Sequence, residues 1–599
     1  MNRMRKFLAF LMVSAMVLSV CSCARVPHPE IKDEEERNYI KQEDPYGVDP
    51  VVVTPAPVAT PVPTPGTYNG VVDMTMFVTM SGREKNDGND IQEIIAEKTG
   101  VRVKETWLTG QMPGEAVASI IASGKLPDFI DGGDASIDLY YNGLLVAWDD
   151  YLERYPNLKE MYTAEEWDQF RQSDGHIYWA NVFGNHFKED TTTLHNAQAF
   201  WIQTRVLEWD GYPKIETLDE YFDLLERYAA ANPEMPNGDK VIPYTCLCED
   251  WKYFCLENAP MFLDGYPANN CVIVNVDQGM DHPKAVDYNT TDTAKYYFKK
   301  LNEEYNKGVI DPDFATQTYD EYIAKLCTGR VLGMNDQYWN FAYSIMGSFA
   351  EYRSDAKDGS YYTLSDIGCE YVPLGLTVKK GMTQQYHSYG DTLNTYSGIA
   401  VTTSCQDPDL AFSFLSALLD QDIHDLRFWG IEGVDYLVDS NGMYYRTEEM
   451  RANWLDYNYL ASHTCEYSYM PQWEGRSKDG INYMKPADSP AEFLETVPAC
   501  VKKCFEAYGV GNYCEFLGSE KVEQGPWYPM WSWSNAIGTN DPGGAAWQEM
   551  GYVKHKYLPE VVMSSNFDSA WNSYMDAYKE AHPEEFLQAA QDELERRLT

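Results

Sequence analysis

Strand and helix patterns alternate between residues 71 and 130, and this order restricts the fold more than any other feature of the sequence. Polar and apolar residues interleave over 71–80, whereas apolar residues recur at helical spacing over 91–98, where Gly100 ends the pattern. A strand pattern at 101–107, a helix pattern at 114–123 and a short apolar strand at 126–130 follow. This order predicts a mostly parallel sheet with helices on its faces, in which ligands lie beyond the carboxyl ends of the strands.

The N-terminus has the layout of a secretory signal. Arg3, Arg5 and Lys6 precede an apolar run over 7–20 that is too short to span a bilayer comfortably. The run ends in Val20-Cys21-Ser22-Cys23, which resembles a bacterial lipobox with Cys23 as the lipidated residue. We therefore predict a signal peptide over 1–22 and lipidation of Cys23; the alternative is an ordinary signal peptide followed by a free cysteine.

Residues 23–68 predict a tether. An acidic block at 33–36 is followed by a series of Val, Thr and Pro over 51–65. Proline removes backbone donors and favours extended conformations, so this stretch predicts a semi-rigid spacer rather than part of a core. A lipid anchor and a spacer together predict a protein held on the extracellular face of the cell membrane.

Composition limits the class of the remaining chain, which is long enough for two large lobes. The sequence contains 92 acidic and 47 basic residues, a net charge of −45, which argues against nucleic acid as a partner. Eleven of the 13 cysteines follow Cys23, without the paired histidines or CxxC spacing of a zinc site. The sequence leaves open whether these eleven form disulfides or stay as thiols.

Short motifs in a fixed order between residues 70 and 445 resemble the extracellular solute-binding lipoproteins of ABC-type carbohydrate importers (family 1-like). Each motif is weak alone, and the resemblance depends on their order and spacing. The motifs are Ala122-Ser-Gly-Lys-Leu-Pro-Asp128, Asn142-Gly-Leu-Leu-Val-Ala-Trp-Asp149, Asp174-Gly-His-Ile-Tyr178, Thr217-Leu-Asp-Glu-Tyr221, Gly308-Val-Ile-Asp-Pro-Asp-Phe314 and Gly430-Ile-Glu-Gly-Val-Asp-Tyr436.

The resemblance implies an α/β protein with a two-lobed, periplasmic-binding-protein-like (type II) fold, an interlobe cleft and a hinge. It implies lobe I over 69–184 plus about 342–422, and lobe II over about 185–341 plus about 423–599. A monomer of this kind captures a sugar or oligosaccharide and delivers it to the permease subunits of an ABC importer, without catalysis. Ligand that contacts both lobes favours the closed form.

Aromatic residues make up 14% of the sequence and supply most candidate ligand contacts, because the C–H groups of a pyranose pack on aromatic rings. The alternative for each tryptophan is packing in a core. Glu432 is a further candidate, since a carboxylate accepts hydrogen bonds from sugar hydroxyls, although it fits a structural turn equally well. The aromatic candidates are Trp179 at the end of a predicted strand over 176–179, Trp201, Tyr338, Trp339, Trp531 and Trp533.

No cofactor or metal is expected. Relatives carry a calcium loop of the EF-hand type after the helix that begins near residue 217, and Glu234, Asn237 and Asp239 could supply oxygen ligands there. Pro236 and Lys240 interrupt that pattern, so we expect this loop not to bind calcium.

Two other functions fit a secreted α/β lipoprotein. One is a carbohydrate-active enzyme, although no Gly-x-Ser-x-Gly, His-Glu-x-x-His or phosphate-binding glycine loop is present. The other is a sensor or adhesin that has the same fold but no role in transport.

Overall fold

The computed structural model describes residues 70–598, apart from 82–87, 110–112, 276–282, 352–353, 390–392 and 523. The predicted signal peptide, Cys23 and the tether therefore lie outside the described residues.

The first sheet confirms the predicted strand–helix alternation. The helix Asp90–Thr99 follows the first strand, begins where the Asn89 side chain accepts a hydrogen bond from the Gln92 N–H, and ends at Gly100, whose φ of 77° suits glycine. Two strand pairs of this sheet are parallel and its edge pair is antiparallel. The strands, in spatial order, are Ile399–Val401, Phe129–Asp131, Val72–Ser81 and Val101–Leu108.

A first hydrophobic core forms around this sheet, with Val78, Val103, Trp148 and Phe412 fully buried in it. Amphipathic helices bury their apolar faces against the sheet and against one another. The helices of this part of the chain are Asp90–Thr99, Pro113–Ser123, Ser136–Tyr141, Asp149–Arg154, Pro156–Lys159, Ala164–Gln169, Pro408–Ala417, Gln421–Phe428, Glu448–Asn453 and Tyr457–His463.

The second sheet is mixed. Its central strands are antiparallel to each other, and Ile242–Thr245 runs parallel to its neighbour Val331–Gln337. All six residues of the strand Gln198–Gln203 are buried, because helices cover both faces of the sheet. The strands, in spatial order, are Tyr371–Leu374, Gln198–Gln203, Val331–Gln337 and Ile242–Thr245.

A second, separate hydrophobic core surrounds this sheet and includes Trp201, Tyr221 and Leu332. Its C-terminal part is helical, and Pro542–Met563 packs against Phe567–Glu580 and Pro583–Leu598. The helices of this part of the chain are Thr204–Trp209, Leu218–Ala231, Phe254–Glu257, Ala259–Leu263, Asp292–Lys307, Tyr319–Cys327, Tyr338–Glu351, Pro490–Thr496, Ala499–Tyr508, Tyr513–Leu517, Trp531–Ser534, Pro542–Met563, Phe567–Glu580 and Pro583–Leu598.

The remaining strands are short and occur in pairs. One pair is parallel and three are antiparallel. The pairs are Phe183–Asn185 with Gln472–Glu474, Ile273–Asn275 with Lys284–Val286, Ser354–Asp355 with Tyr361–Tyr362, and Leu437–Val438 with Tyr444–Tyr445. Within the described part of the chain, none of the helices is long and apolar enough to cross a membrane.

Two separate cores confirm the predicted two-lobed α/β fold. The residues that belong to each core differ from those of the predicted lobes in two segments of the chain. Tyr371–Leu374 belongs to the second sheet, where it pairs with Gln198–Gln203, so residues near 342–386 pack with the second core. Residues 423–484 include Cys465, Tyr467 and Trp473 of the first core. We therefore propose a division that follows the cores: lobe I over 70–182 and 399–484, and lobe II over 199–386 and 493–598.

Candidate functional site

A cleft of about 1190 Å³ lies between lobe I and lobe II. Met161, Tyr162 and Glu166 of lobe I contribute to one wall, and the ends of the second sheet and the C-terminal helices of lobe II form the other. A cleft of this size exceeds the upper range of pockets for a drug-sized ligand, about 1,000 Å³, and so has room for several sugar rings.

Three segments, which we call the first, second and third crossing, connect the lobes. They comprise residues 183–198, 387–398 and 485–492, and all three contribute to the cleft. His387 Nε2 of the second segment lies 2.7 Å from Asp190 Oδ2 of the first. The Thr193 hydroxyl of the first segment donates to the Ala487 carbonyl of the third at 2.6 Å. Hydrogen bonds therefore join the crossings side by side, which is the geometry of a hinge.

The Asp190 carboxyl is held in its ionised form at this hinge. Burial opposes ionisation, but hydrogen bonds with His387 and Thr192 outweigh it and lower the pKa of Asp190. Behind it, His195 Nδ1 lies 3.3 Å from His387 Nδ1, and burial lowers the pKa of His195 to about 3. His195 is thus neutral at physiological pH.

Two tryptophans line the cleft at one edge of the second sheet. Trp251 follows the strand Ile242–Thr245, and Trp339 follows its parallel neighbour Val331–Gln337. The carboxyl ends of parallel strands meet at the same edge, which brings the two rings together. Their centroids are 5.7 Å apart with an interplanar angle of 9°, and both side chains are half-buried. The pair offers an aromatic surface onto which a pyranose ring can stack.

The C-terminal helices supply two more tryptophans. Trp531 meets Tyr396 of the second crossing edge to face, with centroids 5.9 Å apart. Trp547 stacks on Phe586 at 4.5 Å and lies on the same helix as Lys554, whose Nζ is 5.0 Å from the Trp547 ring centroid. Aromatic side chains therefore reach the cleft from separate parts of lobe II.

Charged groups lie between these aromatic rings. Lys554 is 1% exposed and its Nζ lies 3.2 Å from Glu257 Oε2. Burial lowers the pKa of the neighbouring His555 and raises the pKa of Asp250. Burial also raises the pKa of Asp488, on the third crossing, to about 7.

Two of the seven predicted ligand residues, Trp339 and Trp531, line the cleft. Contact between these two side chains and a ligand stays a prediction. Trp339, in the first turn of the helix Tyr338–Glu351, donates its indole N–H to Oε1 of Gln337 at 2.5 Å, which holds the ring near the end of the strand Val331–Gln337.

The other five predicted residues lie elsewhere. Trp201 and Tyr338 pack in the second core, with ring centroids 5.4 Å apart, because Trp201 belongs to a strand buried on both faces. Trp533 stacks on Phe586 at 5.6 Å, on the side of its helical turn that faces the core. Glu432 lies in an exposed turn of lobe I that closes on Tyr436.

Trp179 is 2% exposed in the first core, and its indole N–H donates to the Thr395 carbonyl at 2.9 Å. The strand predicted over 176–179 is wrong, because these residues are irregular and only the next residue, Ala180, forms a bridge, with Ile399.

Trp251 and Trp547 were missed by the sequence analysis. Trp251 could have been found, since it follows the apolar strand Ile242–Thr245 by a few residues and so lies beyond its carboxyl end. No sequence signal distinguishes Trp547, because its place in the cleft depends on how the C-terminal helices pack.

The loop at 234–240, which we expect not to bind calcium, has other contacts for its oxygen atoms. Glu234 pairs with Lys357 at 2.6 Å, and the Asn237 amide donates to Asp239 Oδ2 at 2.8 Å. No cluster of three or more His, Cys, Asp or Glu side chains suited to a metal ion occurs in the described ranges. The eleven cysteines after Cys23 are thiols, and nine of them are buried.

No protein-family model matches this chain, and a comparison with curated protein sequences finds no match. Solved structures do match it. One is the S. pneumoniae ABC-transporter substrate-binding protein FusA, an EF-hand mutant in complex with fructo-nystose, at 18% identity and a TM-score of 0.57, covering 88% of this chain and 99% of that chain.

Two further structures show the same extent of similarity. The alginate-binding protein AlgQ2, without calcium ion, is 14% identical with a TM-score of 0.58, covering 88% of this chain and 99% of that chain. An HMO-binding, ABC-transporter-associated solute-binding protein from Bifidobacterium longum infantis is 14% identical with a TM-score of 0.55, at the same coverage. The chain therefore has the fold of ABC-transporter solute-binding proteins over nearly all of its described length.

Proposed function

We propose that this chain is a solute-binding protein that captures an oligosaccharide in the cleft between its lobes and delivers it to an ABC importer. It acts as a monomer held on the outside of the cell membrane by a lipid on Cys23. The ligand is bound without chemical change and is released to the permease subunits.

The observation that supports this proposal most is an interlobe cleft walled by tryptophans. Trp251, Trp339, Trp531 and Trp547 present apolar faces, while carboxylates and amides between them can exchange hydrogen bonds with hydroxyls. Alternating apolar and polar surface is what a sugar requires, since each ring has C–H faces and a hydroxyl rim. A ligand held by both lobes stabilises the closed arrangement, which a permease can recognise.

The ligands of similar structures support the same class of ligand. The two FusA structures contain fructo-nystose and kestose, and AlgQ2 binds alginate. All of these ligands are carbohydrates. They support a carbohydrate as the ligand class of this chain.

Calorimetric titration of the purified protein with a panel of neutral oligosaccharides tests the proposal. We expect saturable heat with at least one compound, one ligand per chain, and a rise in the unfolding temperature that grows with ligand concentration. Prolonged incubation should leave the bound sugar intact by chromatography. No binding by any oligosaccharide would refute the proposal, and new products would favour the enzyme alternative.

Membrane attachment is a separate part of the proposal, and it rests on the sequence before residue 24. Expressed in a bacterial host that lipidates exported proteins, the full chain should fractionate with membranes and incorporate a labelled fatty acid. The Cys23→Ser variant should appear in the soluble fraction without label. Label retained by Cys23→Ser would contradict lipidation at this residue.

A further inference from the structure

The walls of the cleft are rich in carboxylates and poor in cations. Among the described residues that line it are only two lysines, Lys188 and Lys554, and no arginine. The same residues include seven carboxyl groups: Glu166, Glu189, Asp190, Asp250, Glu257, Glu474 and Asp488. An anionic ligand would therefore lie among side chains that are mainly acidic.

Both lysines are already engaged by carboxylates of the same wall. Lys188 pairs with Glu166, which also accepts a hydrogen bond from the Thr163 backbone N–H. Lys554 is buried against Glu257. An anionic ligand that recruited either lysine would leave its present partner without a counter-ion in a half-buried site, which costs free energy.

Cations from outside the wall neutralise two more of the carboxylates. Glu474 lies 3.0 Å from Lys485, and Glu189 lies 3.4 Å from Arg476. Among the described residues, Asp190, Asp250 and Asp488 form no ion pair with a lysine or arginine, although Asp190 contacts His387, and Lys252 and Lys485 act on Asp250 and Asp488 from a greater distance. The groups of the wall that form no ion pair are thus all acidic, and one of them, Asp250, directly precedes Trp251 of the stacked pair.

Building on the function proposed above, we propose that the cleft selects uncharged oligosaccharides and discriminates against glycans that carry carboxylate, sulfate or phosphate groups. A neutral sugar can donate its hydroxyls to acidic groups of the wall such as Asp250 and stack its C–H faces on the tryptophans. An anion on the same sugar is repelled by those carboxylates and finds no cation without an existing partner.

The test uses three ligands with one carbohydrate backbone. The first is the neutral oligosaccharide that binds best in the panel, the second is its derivative with primary hydroxyls oxidised to carboxylates, and the third is the amide of that derivative. We expect the carboxylate form to bind roughly 30-fold more weakly than the amide, a gap that narrows as salt screens the repulsion. The amide should bind within a few-fold of the parent.

The outcomes separate the two proposals. Equal binding of carboxylate and amide forms would overturn the inference, as would equal weakening of both, which would point to size rather than charge. Failure of every oligosaccharide to bind would refute the proposed function and the inference with it. Tight binding of the carboxylate form alone would overturn the inference and leave the proposed function intact.

A variant links the effect to the unpaired carboxylates. Asp250→Asn should reduce the ratio between amide and carboxylate affinities several-fold, because it removes one negative charge beside the ligand. Asp358→Asn, in an exposed turn outside the cleft, is the matched control and should keep the wild-type ratio. An unchanged ratio in Asp250→Asn would overturn the assignment to these carboxylates.

Discussion

Replacing Trp339 with alanine should weaken oligosaccharide binding by roughly 30-fold or more, equivalent to about 2 kcal/mol. The ring lies at the carboxyl end of a central strand, parallel to Trp251, with its indole N–H fixed by Gln337. A half-buried aromatic surface that is already held in place loses little conformational entropy when a ligand binds. Removing it takes away the stacking surface and leaves Trp251 without its neighbour. Calorimetric titration measures the change in affinity.

The matched control for this prediction is Trp209→Ala. Trp209 is 43% exposed, packs edge to face on Tyr228 at 5.7 Å and does not line the cleft. Its loss should change the affinity less than about two-fold, since surface substitutions away from a site usually have small effects. If both variants bind with wild-type affinity while keeping their far-ultraviolet circular dichroism, the aromatic pair is not the ligand platform.

Regular elements could be predicted from the sequence because their signals are local. The helix Leu218–Ala231 begins with a capping box in which Thr217 and Glu220 satisfy each other's backbone N–H groups. The helix Asp292–Lys307 ends at Gly308 in the left-handed conformation. Such signals involve residues three or four positions apart, so no knowledge of the tertiary fold is needed to read them.

The site could be predicted only in part, because the direction of a side chain depends on packing between distant segments. Tyr338 and Trp339 are adjacent, yet one packs in the second core and the other lines the cleft, since consecutive helical residues point about 100° apart. Trp531 and Trp533 show the same division within one helical turn. A list of aromatic residues near predicted strand ends therefore mixes core residues with cleft residues.

The boundaries of the lobes also depend on contacts between residues that are far apart in the sequence. The segment from 423 to 484 joins lobe I through buried side chains such as Tyr467, whose hydroxyl accepts hydrogen bonds from Gln92 Nε2 at 3.1 Å and from the Val103 N–H at 3.3 Å. Arg427 holds this segment together internally: it is fully buried, and each of its five guanidinium N–H groups has a carbonyl oxygen within 2.6 to 3.4 Å. The carbonyls belong to Leu418, Glu466, Tyr467, Met470 and Pro471.

Arg427→Met should destabilise lobe I by about 4 kcal/mol, because it removes five charge-assisted hydrogen bonds and leaves buried carbonyls unsatisfied. A melting transition of lobe I followed by calorimetry should fall by on the order of 10 °C. Arg330→Met is the matched control: Arg330 is half-buried and its Nε donates to a single carbonyl, that of Lys240, at 2.7 Å, so its loss should cost no more than about 1 kcal/mol. Because Arg330 belongs to lobe II, its effect is measured on the transition of that lobe. A shift after Arg427→Met no larger than that after Arg330→Met would show that Arg427 does not hold the loop 466–471 on its helix.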